Sequence, residues 1–139
     1  MAVRAKELRY AIELTPEGEL RDENGIALEV PPEWSPEHLL LAALVRCSLK
    51  SLRHHAKRGG TDVRSASGRG TALVTRREAD ERYAVVDAEA ELAVELDPEP
   101  AADALAALLA AAERDCFIGS SLTAAPSYRW TVNGRRVAP

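Results

Sequence analysis

The sequence predicts an α+β domain, and three patterns carry the prediction. A leucine- and alanine-rich stretch of helical spacing opens at Pro36, two long alternating stretches follow from Thr61, and an alanine-rich helical stretch opens at Ala101. At 139 residues the chain suits a single domain spanning 1–139.

Taken in order, Val3 to Leu14 places Val3, Ala5, Leu8, Tyr10, Ile12 and Leu14 in loose alternation, which predicts a strand ended by Thr15-Pro16-Glu17-Gly18. Asn24-Gly25 lies between short apolar positions and signals a tight turn, because both residues tolerate positive φ. After the proline-interrupted loop Val30 to Ser35, Ser35 suits an N-cap, Pro36 the first helical position and Glu37 the positive end of the helix dipole. The helix should run to about Lys57, where Gly59-Gly60 stops it; its basic end complements the dipole, and His54 and His55 are expected at the surface. Thr61–Arg77 and Arg82–Leu96 predict two long antiparallel strands. In the second, Ala88, Ala90, Leu92, Val94 and Leu96 alternate with mostly acidic residues, giving one buried and one wet face. A helix over Ala101–Arg114 carries Leu105, Leu108, Leu109 and Ala112 at helical spacing. A short helical turn capped by Asp115 follows, with Cys116 in its first turn, and the last strand covers Ser127–Val137.

The composition narrows the function. With 46% hydrophobic and 29% charged residues the chain is globular rather than disordered, and it holds no apolar run long enough to span a membrane. The first residues lack the apolar core of a signal peptide, so the expected compartment is the cytoplasm. A net charge of -4 and 4% aromatic residues argue against binding to nucleic acid or to an anionic membrane.

Only two cysteines are present, Cys47 and Cys116, too far apart in the chain for a zinc motif, and the three histidines do not complete one. No metal and no bound cofactor is expected. Two thiols permit one reversible disulfide, and equally two unrelated buried side chains. A thiolate at Cys116 would be favoured by the backbone N–H groups that open a helix.

Two stretches, Ser35-Pro36-Glu37-His38-Leu39-Leu40-Leu41-Ala42-Ala43-Leu44-Val45-Arg46-Cys47 and Asp115-Cys116-Phe117-Ile118-Gly119-Ser120-Ser121-Leu122, together resemble the OsmC/Ohr family of thiol-dependent peroxidases. The resemblance extends over essentially the whole chain; Phe117 stands where many relatives carry proline. It implies an OsmC-like fold, antiparallel strands with a long central helix in an intertwined homodimer. It also implies reduction of organic hydroperoxides, with Cys47 as the attacking thiol, Cys116 as the resolving thiol and a dithiol as reductant. A thiolate attacks peroxide oxygen to become a sulfenic acid, and a second thiol that condenses with it prevents over-oxidation. The resemblance further implies that Glu37 and an arginine orient the reactive site; Arg21 is assigned to that role, with Arg4, Arg9 and Arg46 as alternatives.

On one continuous helix, the ten residues from Glu37 to Cys47 span roughly 15 Å, too far for contact. A second helix, antiparallel across a twofold axis, could bring Glu37 of one copy towards Cys47 of the other. Two other readings use the same fold: a non-enzymatic domain binding an apolar small molecule at the dimer groove, and a redox sensor signalling through the disulfide.

Overall fold

The computed structural model describes residues 4–138 and divides the chain after Ser35 into two units, each with its own sheet. In the first unit β1 (Ile12–Leu14), β2 (Leu20–Asp22) and β3 (Ala27–Leu28) form an antiparallel meander in chain order. Its turns are built by side chains. Thr15 Oγ1 accepts the Glu19 N–H at 3.1 Å, and Asp22 Oδ1 accepts the N–H groups of Asn24 and Ile26, both at 2.9 Å. Gly25, at φ 80°, supplies the left-handed position that the Asn-Gly step predicts. The strand expected from Val3 is shorter: only Ile12–Leu14 is strand, and Val3 lies outside the described residues. The physical reason is that β2 offers backbone partners to Ile12, Glu13 and Leu14 alone, while Leu8 and Tyr10 remain exposed.

The second unit opens with α1 (Pro36–Arg58), ended as expected by Gly59 and by Gly60 at φ 75°. The chain continues through β4 (Asp62–Arg76), β5 (Tyr83–Asp97), α2 (Ala102–Arg114), α3 (Phe117–Ser121), β6 (Ser127–Val132) and β7 (Arg135–Arg136). The sheet order is β4-β5-β6-β7. The β4–β5 and β6–β7 pairs are antiparallel; β5–β6 is parallel, a departure from all-antiparallel pairing. The two helices between β5 and β6 supply the long crossover that a parallel pair needs. Two boundaries also differ from expectation. The segment Ser127–Val137 is two strands folded at Asn133 (φ 50°) and Gly134 (φ 78°), because that dipeptide favours a tight hairpin turn. The residue capping α3 is Cys116, not Asp115.

The alternation in β5 sets the core. Ala88, Ala90, Leu92, Val94 and Leu96 are all buried, and they cluster with Leu44, Leu49 and Leu52 of α1, Leu109 and Ala112 of α2, and Trp130 and Val132 of β6. Helix α1 comes close to β4 because Gly68 and Gly70 face it: a Cβ on Gly68 would stand 2.8 Å from Val45 Cγ1. Among the described residues no helix is long and apolar enough to cross a membrane.

Candidate thiol site

Helix α1 delivers Cys47 and Ser48, and the start of α3 delivers Cys116. As N-cap of α3, Cys116 adopts extended backbone angles (φ -74°, ψ 109°), and its sulfur accepts the Gly119 N–H at 3.3 Å. A sulfur thus does here what a serine or aspartate oxygen does at other helix starts. Ser48 Oγ lies 3.5 Å from Cys116 Sγ and donates to the Leu44 carbonyl at 2.7 Å. Both Ser48 and Cys116 are completely buried, whereas Cys47 is only partly so.

The two thiols are unbridged, and each affects the other's ionisation. Their environments differ in sign. Burial pushes the Cys47 thiol up, and its neighbour Cys116 adds to that, against opposing hydrogen bonds from the backbone at Ile118 and Phe117. Burial also opposes ionisation of Cys116, but its polar neighbours, Ser48 first and the Gly119 N–H next, outweigh it and bring that thiol below its ordinary value, with the nearby Cys47 and Tyr128 side chains adding to the effect. The sulfur that best carries negative charge is therefore the shielded one, and the sulfur open to solvent is its neighbour.

Two polar groups frame this pair. His55 Nε2 stands 2.7 Å from Asp115 Oδ2, joining the last turns of α1 to the residue before Cys116; His55 is thus partly buried rather than a surface residue. From β6, Tyr128 brings its hydroxyl beneath Gly119. Neither Ser48 nor Tyr128 emerges from the sequence. Ser48 follows Cys47 without any motif, and Tyr128 reaches the site only through the parallel β5–β6 pairing.

Glu37 lies exposed in the first turn of α1, and α1 is continuous from Pro36 to Arg58, so Cys47 lies roughly 15 Å further along the same axis. The structure therefore does not bring Glu37 to Cys47 within one chain. Arg21 belongs to β2 in the first unit, where its guanidinium pairs with Glu19. Of the alternatives, Arg9 pairs with Glu7 at 2.8 Å, and Arg4 and Arg46 are exposed. Among the described residues no group of three or more His, Cys, Asp or Glu side chains is arranged to hold a metal ion.

A family profile described as OsmC-like protein matches residues 30–131, which include both cysteines. Solved structures share the fold. An OsmC-like protein of unknown function from Vibrio cholerae is similar at a TM-score of 0.73 and 14% identity, over 89% of this chain and 99% of that one. An organic hydroperoxide resistance protein from Elizabethkingia anophelis is similar at 0.62 and 15%, over 93% and 98%. The organic hydroperoxide resistance protein OhrB of Bacillus subtilis is similar at 0.54 and 16%, over 90% and 96%. No curated protein matches the sequence.

Proposed function

The chain belongs to the OsmC-like protein family, and on that premise we propose that it reduces organic hydroperoxides by a two-cysteine cycle. One observation carries the reading: two cysteines far apart in the chain meet at the α1–α3 contact as unbridged thiols, one accessible and one shielded. The names of the hydroperoxide resistance proteins that share the fold support it.

Cys47 is the attacking thiol because it is the accessible one. Its proton passes to the neighbouring Cys116 sulfur, which favours the charge in the resting pair. The Cys47 thiolate then attacks one peroxide oxygen, the O–O bond breaks, and the alkoxide leaves and takes a proton from water. Cys47 is now a sulfenic acid. The Cys116 sulfur attacks it and forms the S–S bond, while the proton it had accepted leaves with the hydroxide as water. An external dithiol reduces the disulfide and restores both thiols.

The reading takes residues 1–139 as one OsmC-like domain that works as an intertwined homodimer. The distance along α1 supports a site completed across a twofold axis, with Glu37 of the partner subunit beside Cys47 and Arg21 holding that glutamate. The exposed apolar side chains of the first unit, among them Tyr10, Ile12, Leu14, Ile26 and Leu28, support burial against a second copy.

The test is a count of free thiols in the reduced protein before and after one equivalent of an organic hydroperoxide. The wild type should lose both thiols, Cys47→Ser should keep its remaining one, and Cys116→Ser should stop at a sulfenic acid. Survival of both wild-type thiols overturns the reading in favour of a non-enzymatic domain that binds an apolar small molecule. Thiol loss without steady turnover by a dithiol points instead to a redox sensor.

A further inference from the structure

We propose that the Tyr128 hydroxyl is a positioning donor for the Cys116 thiolate, a third group that decides which of the two sulfurs holds the negative charge. The hydroxyl is buried and has no hydrogen-bond partner of good geometry. Its place is fixed, because the Tyr128 ring lies nearly parallel to Trp130, with centroids 6.4 Å apart and planes at 10°. Trp130 is in turn anchored by its Nε1 donating to Glu113 at 3.1 Å.

Gly119 shows how the hydroxyl and the sulfur share one space. A Cβ built on Gly119 would lie 2.8 Å from Tyr128 Oη and 3.4 Å from Cys116 Sγ, so both atoms face the gap that the missing side chain leaves. The other hydroxyl there, Ser48, has one proton and directs it to the Leu44 carbonyl. It can turn to the Cys116 sulfur, 3.5 Å away, only by leaving that carbonyl, so Ser48 is a contested donor to the thiolate. Tyr128 holds the O–H in reach that is not yet committed. Burial, together with the charge on Cys116, holds the phenol up at about 12, so it keeps its proton wherever the thiols titrate.

The arrangement is asymmetric between the two states of Cys116. With a neutral thiol the Tyr128 donor is orphaned, and with a thiolate it gains a charge-assisted partner. Tyr128 thereby favours the ionised form without touching the more accessible Cys47. This rests on the proposed two-cysteine cycle for its role in turnover, but the ionisation itself is measured without peroxide.

The experiment follows thiolate absorbance against pH in Cys47→Ser and in the same protein carrying Tyr128→Phe, with thermal midpoints taken at acid pH, where Cys116 is neutral. The phenylalanine variant should move the Cys116 midpoint up by about one unit, roughly tenfold less thiolate at neutral pH, while its acid-side thermal midpoint stays level or rises. An unmoved midpoint overturns the assignment, and a lower thermal midpoint with an unmoved titration makes Tyr128 merely structural. Gly119→Ala is a second variant that keeps the phenol and places a methyl between hydroxyl and sulfur; it should shift the titration in the same direction. A shifted titration combined with thiols that survive peroxide leaves Tyr128 assigned and the peroxidase reading overturned.

Discussion

Ser48 Oγ and Cys116 Sγ stand 3.5 Å apart in a place that water does not reach, one on a long helix and the other capping a short one. Ser48→Ala removes a polar neighbour from the sulfur but leaves the backbone of α1 intact. The Cys116 thiol should titrate at higher pH, while folding stability changes by no more than about 1 kcal/mol. A thiolate titration beside a urea denaturation curve checks both halves. Unchanged titration in the alanine variant would mean that Gly119 and Tyr128 suffice.

How much of this was legible depends on whether one face of an element is buried. Helix α1, the β4–β5 hairpin and α2 follow expectation within a residue or two, because their apolar spacing meets a core; in β5 every alternate residue from Ala88 to Leu96 is buried. The first strand shows the opposite. Leu8, Tyr10 and Ile12 alternate but stay exposed, so the pattern overstated the strand. The parallel pairing of β6 had no local signal, since pairing partners are set by tertiary packing. At the site, the cysteines were legible from motif and spacing, whereas Ser48 and Tyr128 are ordinary residues whose place depends on the packing of α1, α3 and β6. The arginine remained open among four candidates because Arg21 carries no distinctive local pattern.

Gly68 tests the close approach of α1 to the sheet. An added Cβ would come within 2.8 Å of both Leu92 Cδ2 and Val45 Cγ1, and 3.2 Å of the Glu91 carbonyl. Gly68→Ala should cost about 1–3 kcal/mol through overpacking and lower the thermal midpoint by several degrees. Adding Val45→Ala should restore part of the loss, which a double-mutant cycle measures directly.

Asn133 closes the end of β5 with its side chain. Its Oδ1 accepts the Leu96 N–H at 2.8 Å, its Nδ2 donates to the Leu96 carbonyl at 3.2 Å, and its backbone N–H donates to the Val94 carbonyl at 3.0 Å. The residue also sits at φ 50°, where asparagine is better tolerated than most side chains. Asn133→Ala loses both side-chain bonds and strains the turn, for about 2–3 kcal/mol in a denaturation experiment. Asn133→Gly keeps the backbone conformation and should fall between alanine and wild type; equal losses would assign the whole effect to the hydrogen bonds.

Asp115 links pH to the placement of Cys116. Its carboxylate pairs with Arg114 Nε at 3.0 Å and with His55 Nε2 at 2.7 Å, across the contact between α1 and the start of α3. The Arg114 guanidinium, with His55 contributing, holds the carboxyl down at about 2 against an ordinary aspartate value of 3.8, although partial burial opposes the shift. A carboxyl depressed by folding stabilises the native state above its unfolded value, and that contribution disappears as pH falls through the folded value. Asp115→Asn should therefore be less stable than wild type above pH 3.8, and the gap should close as pH falls towards about 2. Because the Arg114 partner is largely exposed, added salt should shrink the gap as well. Urea midpoints for the two proteins across that range decide the matter: a gap that persists unchanged to the acid limit means that the asparagine perturbs packing at Cys116 and that the ion pair contributes nothing measurable.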